Sequence, residues 1–274
     1  MTQKQTAVAG HAPSRRTTEI EEITNLYLIH PLASRLVPIF AQLHVTPNAV
    51  SIVGMLFGIL SAFAYYRYWD PLFASAGFAL MVAWHVMDGA DGQLARYTQS
   101  YSYFGKMLDG IADNVTFAAV YAALAVAAGR RHGNWVYALV VISALCHAIQ
   151  SASYETERQE YEFLGWGKKP QEPPAANGDA HGRGGIGRLL DFLHWLFFFG
   201  LSFPTAAING RFRDTMAEAL QARPEREGRV RRLYRETLAP QIRSWSVLSA
   251  NYRTLGIFIC ALFKVPEYYF GFEI

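Results

Sequence analysis

The 274-residue sequence predicts an all-α fold embedded in a membrane: a polytopic helix bundle of about six spans, preceded by an N-terminal interfacial amphipathic helix. Three observations carry this. The chain is 51% hydrophobic, with 18 Phe, 15 Tyr and 6 Trp. Several uncharged runs approach the roughly 20 residues that cross a hydrocarbon core. Polar residues are gathered at the N-terminus and between Glu155 and Arg243 instead of alternating through the sequence.

Residues 1–30 read as a disordered or extended tail, the first part rich in Thr, Gln, Ala, Arg and Glu without periodicity. The tail has no signal-like apolar core, so the first span would serve as its own insertion signal. From Pro31 to His44, Leu32, Leu36, Ile39, Phe40 and Leu43 trace one helical face. Pro31 suits a first turn and Pro38 a bend. The stretch is too short and interrupted to span, which makes it interfacial.

Thr46-Pro47-Asn48 is a helix-start signal, and Ala49–Tyr66 is the first span. Gly54 and Gly58, four apart, form a small-residue groove for a close helix neighbour, within the subunit or across a dimer. Pro71–Met87 gives the second span, about Gly105–Ala128 the third, and Trp135 to about Tyr154 the fourth. Residues 31–154 thus form the unit that carries the chemistry. Residues 155–245 read as a polar linker, a fourteen-residue apolar run at 195–208 and an arginine-rich cytoplasmic loop.

Nine arginines lie between Arg211 and Arg243, so a single crossing at 195–208 would export them; the run is expected to enter or lie on the cytoplasmic leaflet. Residues 246–274 supply a fifth span, Val247–Phe263, and the start of a sixth. Either the chain is truncated there or the span count differs. Cys146 and Cys260 sit in apolar runs and read as packing residues. The net charge of +3 is too small to indicate nucleic acid, and the arginine cluster suits an anionic membrane surface.

The chemistry is concentrated between Asp88 and Asp113. Asp88, Asp91, Gly92, Ala95 and Arg96 fall on one helical stripe, and Gly105, Asp109 and Asp113 on a second. Two antiparallel helices joined by the turn around Thr98–Ser102 would face these stripes toward each other. Four carboxylates held that close need cations, and two divalent ions balance them. Oxygen-only ligands favour Mg²⁺ or Mn²⁺ over zinc. Glycine costs about 1 kcal/mol against alanine inside a helix, so Gly92 and Gly105 leave room for a ligand to approach. Arg96, one turn beyond Gly92, is placed to meet a phosphate.

Asp88-x-x-Asp91-Gly92-x-x-Ala95-Arg96, eight residues, then Gly105-x-x-x-Asp109-x-x-x-Asp113 resembles the signature of the CDP-alcohol phosphotransferase (phosphatidyltransferase) family at every motif position. The resemblance implies an integral-membrane enzyme of phospholipid biosynthesis. An acceptor hydroxyl attacks the β-phosphorus of a CDP-linked alcohol, and CMP leaves. It implies Asp88, Asp91 and Asp109 as metal ligands, with Asp113 as a further ligand and the general base.

Gly92, Ala95 and Gly105 would floor the nucleotide, with Arg96 on phosphate. Lys106 would join Arg96 or simply snorkel. Pro47-Asn48-x-x-Ser51 is similar to the family's start to its first span, which makes Asn48 either a nucleotide contact or an N-cap. Arg253 would snorkel or bind phosphate, acceptor or lipid. His85, His147 and Gln150 read as packing residues or neighbours of the cavity. The expected partners are a CDP-alcohol donor, a lipid or polar alcohol acceptor, membrane lipids and a second copy in a homodimer. The expected location is a bacterial inner membrane, with the site at the cytoplasmic side. CDP-diacylglycerol with a polar acceptor and a CDP-amino-alcohol with diacylglycerol are both open. The rival class is a cation transporter using the same carboxylates.

Overall fold

The computed structural model describes residues 17–168, 214–216, 218, 220 and 226–274. Among these, every regular element is helical. Helices are numbered in chain order as α1 (His30–Gln42), α2 (Pro47–Tyr65), α3 (Pro71–Tyr97), α4 (Tyr103–His132), α5 (Trp135–Trp166), α6 (Glu227–Ser244), α7 (Ala250–Leu262) and α8 (Pro266–Glu273).

Helices α2, α3 and α4 each start where a side chain supplies an acceptor for an orphan amide. The Thr46 hydroxyl accepts from Ala49 N at 3.3 Å, the Asp70 carboxylate from Leu72 N at 2.9 Å, and the Ser102 hydroxyl from Gly105 N at 2.9 Å. Pro47 and Pro71 occupy first turns, where the missing N–H costs nothing. Short turns make α2 to α5 alternate in direction. The start of α2, the end of α3, the start of α4 and the end of α5 therefore share one end of the bundle.

These four helices are long and apolar enough to cross a membrane. The expected fifth span at Val247–Phe263 is shorter. A 3₁₀ turn at Trp245–Leu248 and an extended Ser249 precede α7, whose 13 residues rise only about 20 Å against a core of about 30 Å. Helix α8 has 8 residues, and the two pack as a hairpin on α3, α4 and α5. Among the described residues, four candidate spans thus stand where about six are expected in the chain.

The groove glycines are used within the subunit. A Cβ on Gly54 would lie 3.1 Å from Met87 Cβ of α3, and one on Gly58 only 2.2 Å from Thr116 Oγ1 of α4. Close approach of α2 to α3 and α4, the two helices that carry the aspartates, requires them. Below the motif, Trp84, Met81, Phe117, Val120, Leu124, Ile257 and Phe270 form the main apolar core.

Helix α1 is preceded by a π-helical turn, Asn25–Ile29, and packs Ala33 and Val37 against Val50, Met87, Ala90 and Leu94. Leu36 and Phe40 join that inner face, while Ile39 and Leu43 point outward. The expected single apolar face is therefore divided between the bundle and the surroundings.

Two expectations about polar segments are corrected. Residues 17–30 are packed: Ile20 is buried against Tyr161 and Ile242, and Glu19 accepts from Tyr161 OH and Trp166 Nε1, each at 2.7 Å. Residues 155–166 continue α5 by about 18 Å instead of opening a linker. Arg158 pairs along the helix with Glu155 and Glu162. Arg231 of α6 donates to Phe163 O at 2.9 Å and Leu164 O at 2.7 Å, and Arg235 to Gly165 O at 3.2 Å, satisfying the terminal carbonyls. Part of the arginine cluster is thus used inside the protein, in a helix where a loop is expected. The apolar run at 195–208 lies outside the described residues. Cys146 and Cys260 are free thiols.

Candidate active site

Helix α3 carries Asp88 and Asp91 one turn apart, and α4 carries Asp109. One carboxylate oxygen from each lies within 4.8 Å of the others. Asp91 is buried, and Asp88 and Asp109 are half-buried, at the end of the bundle where α3 closes and α4 opens.

Asp91 is held from two sides. The Ser51 hydroxyl of α2 donates to its Oδ2, and the Gly92 amide donates to the carboxylate. Asp109 repels it and Arg96 attracts it. The donor set is all oxygen, which suits hard divalent cations such as Mg²⁺ or Mn²⁺. Asp113, one turn along α4 from Asp109, is half-buried and lies outside the 4.8 Å group.

The motif glycines differ in their physical reasons. A Cβ on Gly105 would sit 2.9 Å from both Asn48 Oδ1 and Ser102 Oγ, so a side chain there would push aside the Asn48 amide and the hydroxyl that caps α4. That contact also places Asn48 beside Gly105. A Cβ on Gly92 would meet only the Arg96 guanidinium, at 3.5 and 3.9 Å, an ordinary contact. The protein's own packing does not require glycine at 92. Ala95 and Arg96 are half-buried on the next turn. Lys106 is in the first turn of α4, and its side chain lies outside the described residues.

Arg253 is drawn elsewhere. It is 5% exposed and pairs with Glu273 at 3.2 Å, with further bonds to Ser151 Oγ and Gln150 Oε1 of α5. His147 faces Glu273 at 3.0 Å, and His85 is hydrogen-bonded to Thr254 at 2.9 Å. These three side chains bond neighbouring helices.

Sequence reasoning missed Ser51 as the partner of Asp91. The signal was its place in α2 one turn beyond the half-buried Asn48. It also missed Glu273, a carboxylate within an aromatic run whose burial demands partners.

Residues 44–170 match the CDP-alcohol phosphatidyltransferase family. An archaetidylinositol phosphate synthase of Pyrococcus horikoshii is 36% identical over 80 residues, which cover 29% of this chain and 40% of that protein's length. No solved structure matches the chain. Asp88, Asp91 and Asp109 all fall within the matched segment, so the acidic cluster lies in the part of the chain that is similar to the CDP-alcohol phosphatidyltransferase family.

Proposed function

We propose that this protein is an integral-membrane enzyme of phospholipid biosynthesis that transfers a substituted phosphate from a CDP-alcohol to an acceptor hydroxyl, releasing CMP. The observation that carries this reading is the convergence of Asp88, Asp91 and Asp109 from two helices onto one 4.8 Å centre. Bound there, two Mg²⁺ or Mn²⁺ ions would neutralise the pyrophosphate and stabilise the departing CMP.

The protein's own residues do the rest. Asp88, Asp91 and Asp109 hold the ions, and Asp113 joins them or stands behind. Ser51 orients Asp91. Gly92 and Ala95 give the nucleotide access to the α3 backbone, Gly105 lets Asn48 approach, and Arg96 meets phosphate, with Lys106 as a second cation. The acceptor oxygen forms a bond to the β-phosphorus, and the bond from that phosphorus to the bridging oxygen breaks. CMP carries that oxygen away, and Asp113 takes the hydroxyl proton.

The Pyrococcus relative is named for making archaetidylinositol phosphate. That name favours a lipid-bearing CDP donor, such as CDP-diacylglycerol, with a polar acceptor over diacylglycerol as acceptor. The arginines of α6, bonded to the end of α5, lie at the same end of the bundle as the carboxylates, which supports a site on the cytoplasmic side; a bacterial inner membrane is the expected setting. The 31–154 segment is the catalytic unit in this reading. A homodimer would use a face other than Gly54 and Gly58.

The deciding experiment incubates purified protein in lipid nanodiscs with CDP-diacylglycerol, Mn²⁺ or Mg²⁺, and glycerol phosphate, serine, inositol or inositol phosphate. CMP release that stops with EDTA is expected. No CMP from any CDP-alcohol, together with cation flux in vesicles, would replace the enzyme with the transporter.

A further inference from the structure

The carboxylates of the site stand on α3 and α4, and two adjacent residues of α7 reach both helices. Thr254 is hydrogen-bonded at 2.9 Å to His85, three residues before Asp88 on α3. Arg253 pairs with Glu273 of α8 at 3.2 Å, both side chains being at most 5% exposed. Glu273 accepts hydrogen bonds from Tyr121 of α4 and from Ser143 of α5, the latter at 3.0 Å. Tyr121 OH also lies 2.9 Å from His147 Nδ1 and from Tyr269 OH. Asp113, Phe117 and Tyr121 follow one another at i, i+4 and i+8, so this network grips α4 on the face that bears Asp113.

A buried ion pair is a poor source of stability, because desolvating both charges cancels most of their attraction. Its use here is geometric. Asp91 and Asp109 repel each other across the gap between α3 and α4, and a bundle held only by apolar contacts would relieve that repulsion by spreading. We propose that Arg253 and Thr254 are positioning residues. Through Thr254–His85 and Arg253–Glu273–Tyr121, α7 braces the two helices and fixes the separation of their carboxylates.

The brace is independent of the reaction, although its consequence for turnover rests on the proposed function. The test compares wild type, Arg253→Gln, Arg253→Gln/Glu273→Gln and Thr254→Val in nanodiscs. It reads thermal stability, backbone hydrogen exchange, Mn²⁺ affinity by titration, and CMP release. Arg253→Gln alone takes from Glu273 its guanidinium partner and lowers Tm, and the double variant recovers most of that loss.

Positioning predicts that the double variant, with Tm recovered, still exchanges about 10-fold faster over residues 88–96 and 105–117. It also binds Mn²⁺ about 10-fold more weakly. Thr254→Val, which changes no charge, loosens residues 88–96 in the same way. If exchange and Mn²⁺ affinity return to wild type together with Tm, the network is packing alone and the inference fails. If wild type releases no CMP while the exchange pattern holds, the proposed reaction falls and the brace stands.

Discussion

The hydroxyl of Ser51 on α2 donates to the carboxylate of Asp91 on α3, and Asp91 is the most deeply buried of the three clustered aspartates. A residue outside the twin acidic stripes thus fixes the orientation of one inside them. Ser51→Ala removes the donor and keeps the helix. A hydrogen bond to a charged group contributes about 1.5–3 kcal/mol, so Mn²⁺ affinity is expected to fall by about 10- to 100-fold. Ser51→Thr keeps the hydroxyl and should retain most of the binding, as titration of the two variants will show.

Crowded carboxylates make a second prediction, of opposite sign with and without metal. In EDTA, Asp109→Asn relieves its repulsion of Asp91 and should raise Tm above wild type. In Mn²⁺ the order reverses. Wild type gains about 2.7 kcal/mol at a hundredfold excess over Kd, and the variant gains little. Equal metal-induced shifts in both proteins would remove Asp109 from the site.

Gly92 and Gly105 should separate folding from activity. Gly92→Ala meets only the Arg96 side chain at ordinary distance, and alanine favours a helix by about 1 kcal/mol. The variant should melt no lower than wild type yet lose CMP release, because the methyl group occupies the nucleotide's approach. Gly105→Ala displaces the Asn48 amide and the Ser102 hydroxyl that caps α4, and should lose about 1 kcal/mol of stability together with activity. A fully active Gly92→Ala enzyme would show that the nucleotide lies elsewhere.

The far end of α5 depends on α6. Arg231→Ala leaves the carbonyls of Phe163 and Leu164 without their guanidinium donor. Hydrogen exchange near residues 161–167 should rise, with about 1–2 kcal/mol lost locally. CMP release should stay near wild type, since Arg231 bonds the end of α5 and none of the clustered aspartates.

Spacing along the chain already placed Asp88 and Asp91 on one stripe and Asp109 on another, because helical periodicity depends on nothing but sequence distance. Apolar length likewise announced α2, α3 and α4, and the start signal at Thr46-Pro47-Asn48 announced where α2 begins, because such signals are local. The helix at 155–166, the packing of residues 17–30, the shortness of α7 and the Arg253–Glu273 pair were beyond such reading. Glu155–Trp166 looks polar enough for a linker until Arg231 and Arg235 arrive from α6 to satisfy its carbonyls. Arg253 looks like an interfacial cation until α8 folds back and presents Glu273. The sequence by itself determined which residues share a helix face, since that follows from periodicity. Tertiary structure alone decided which faces meet and which charges find partners, because those energies belong to pairs of residues far apart in the chain.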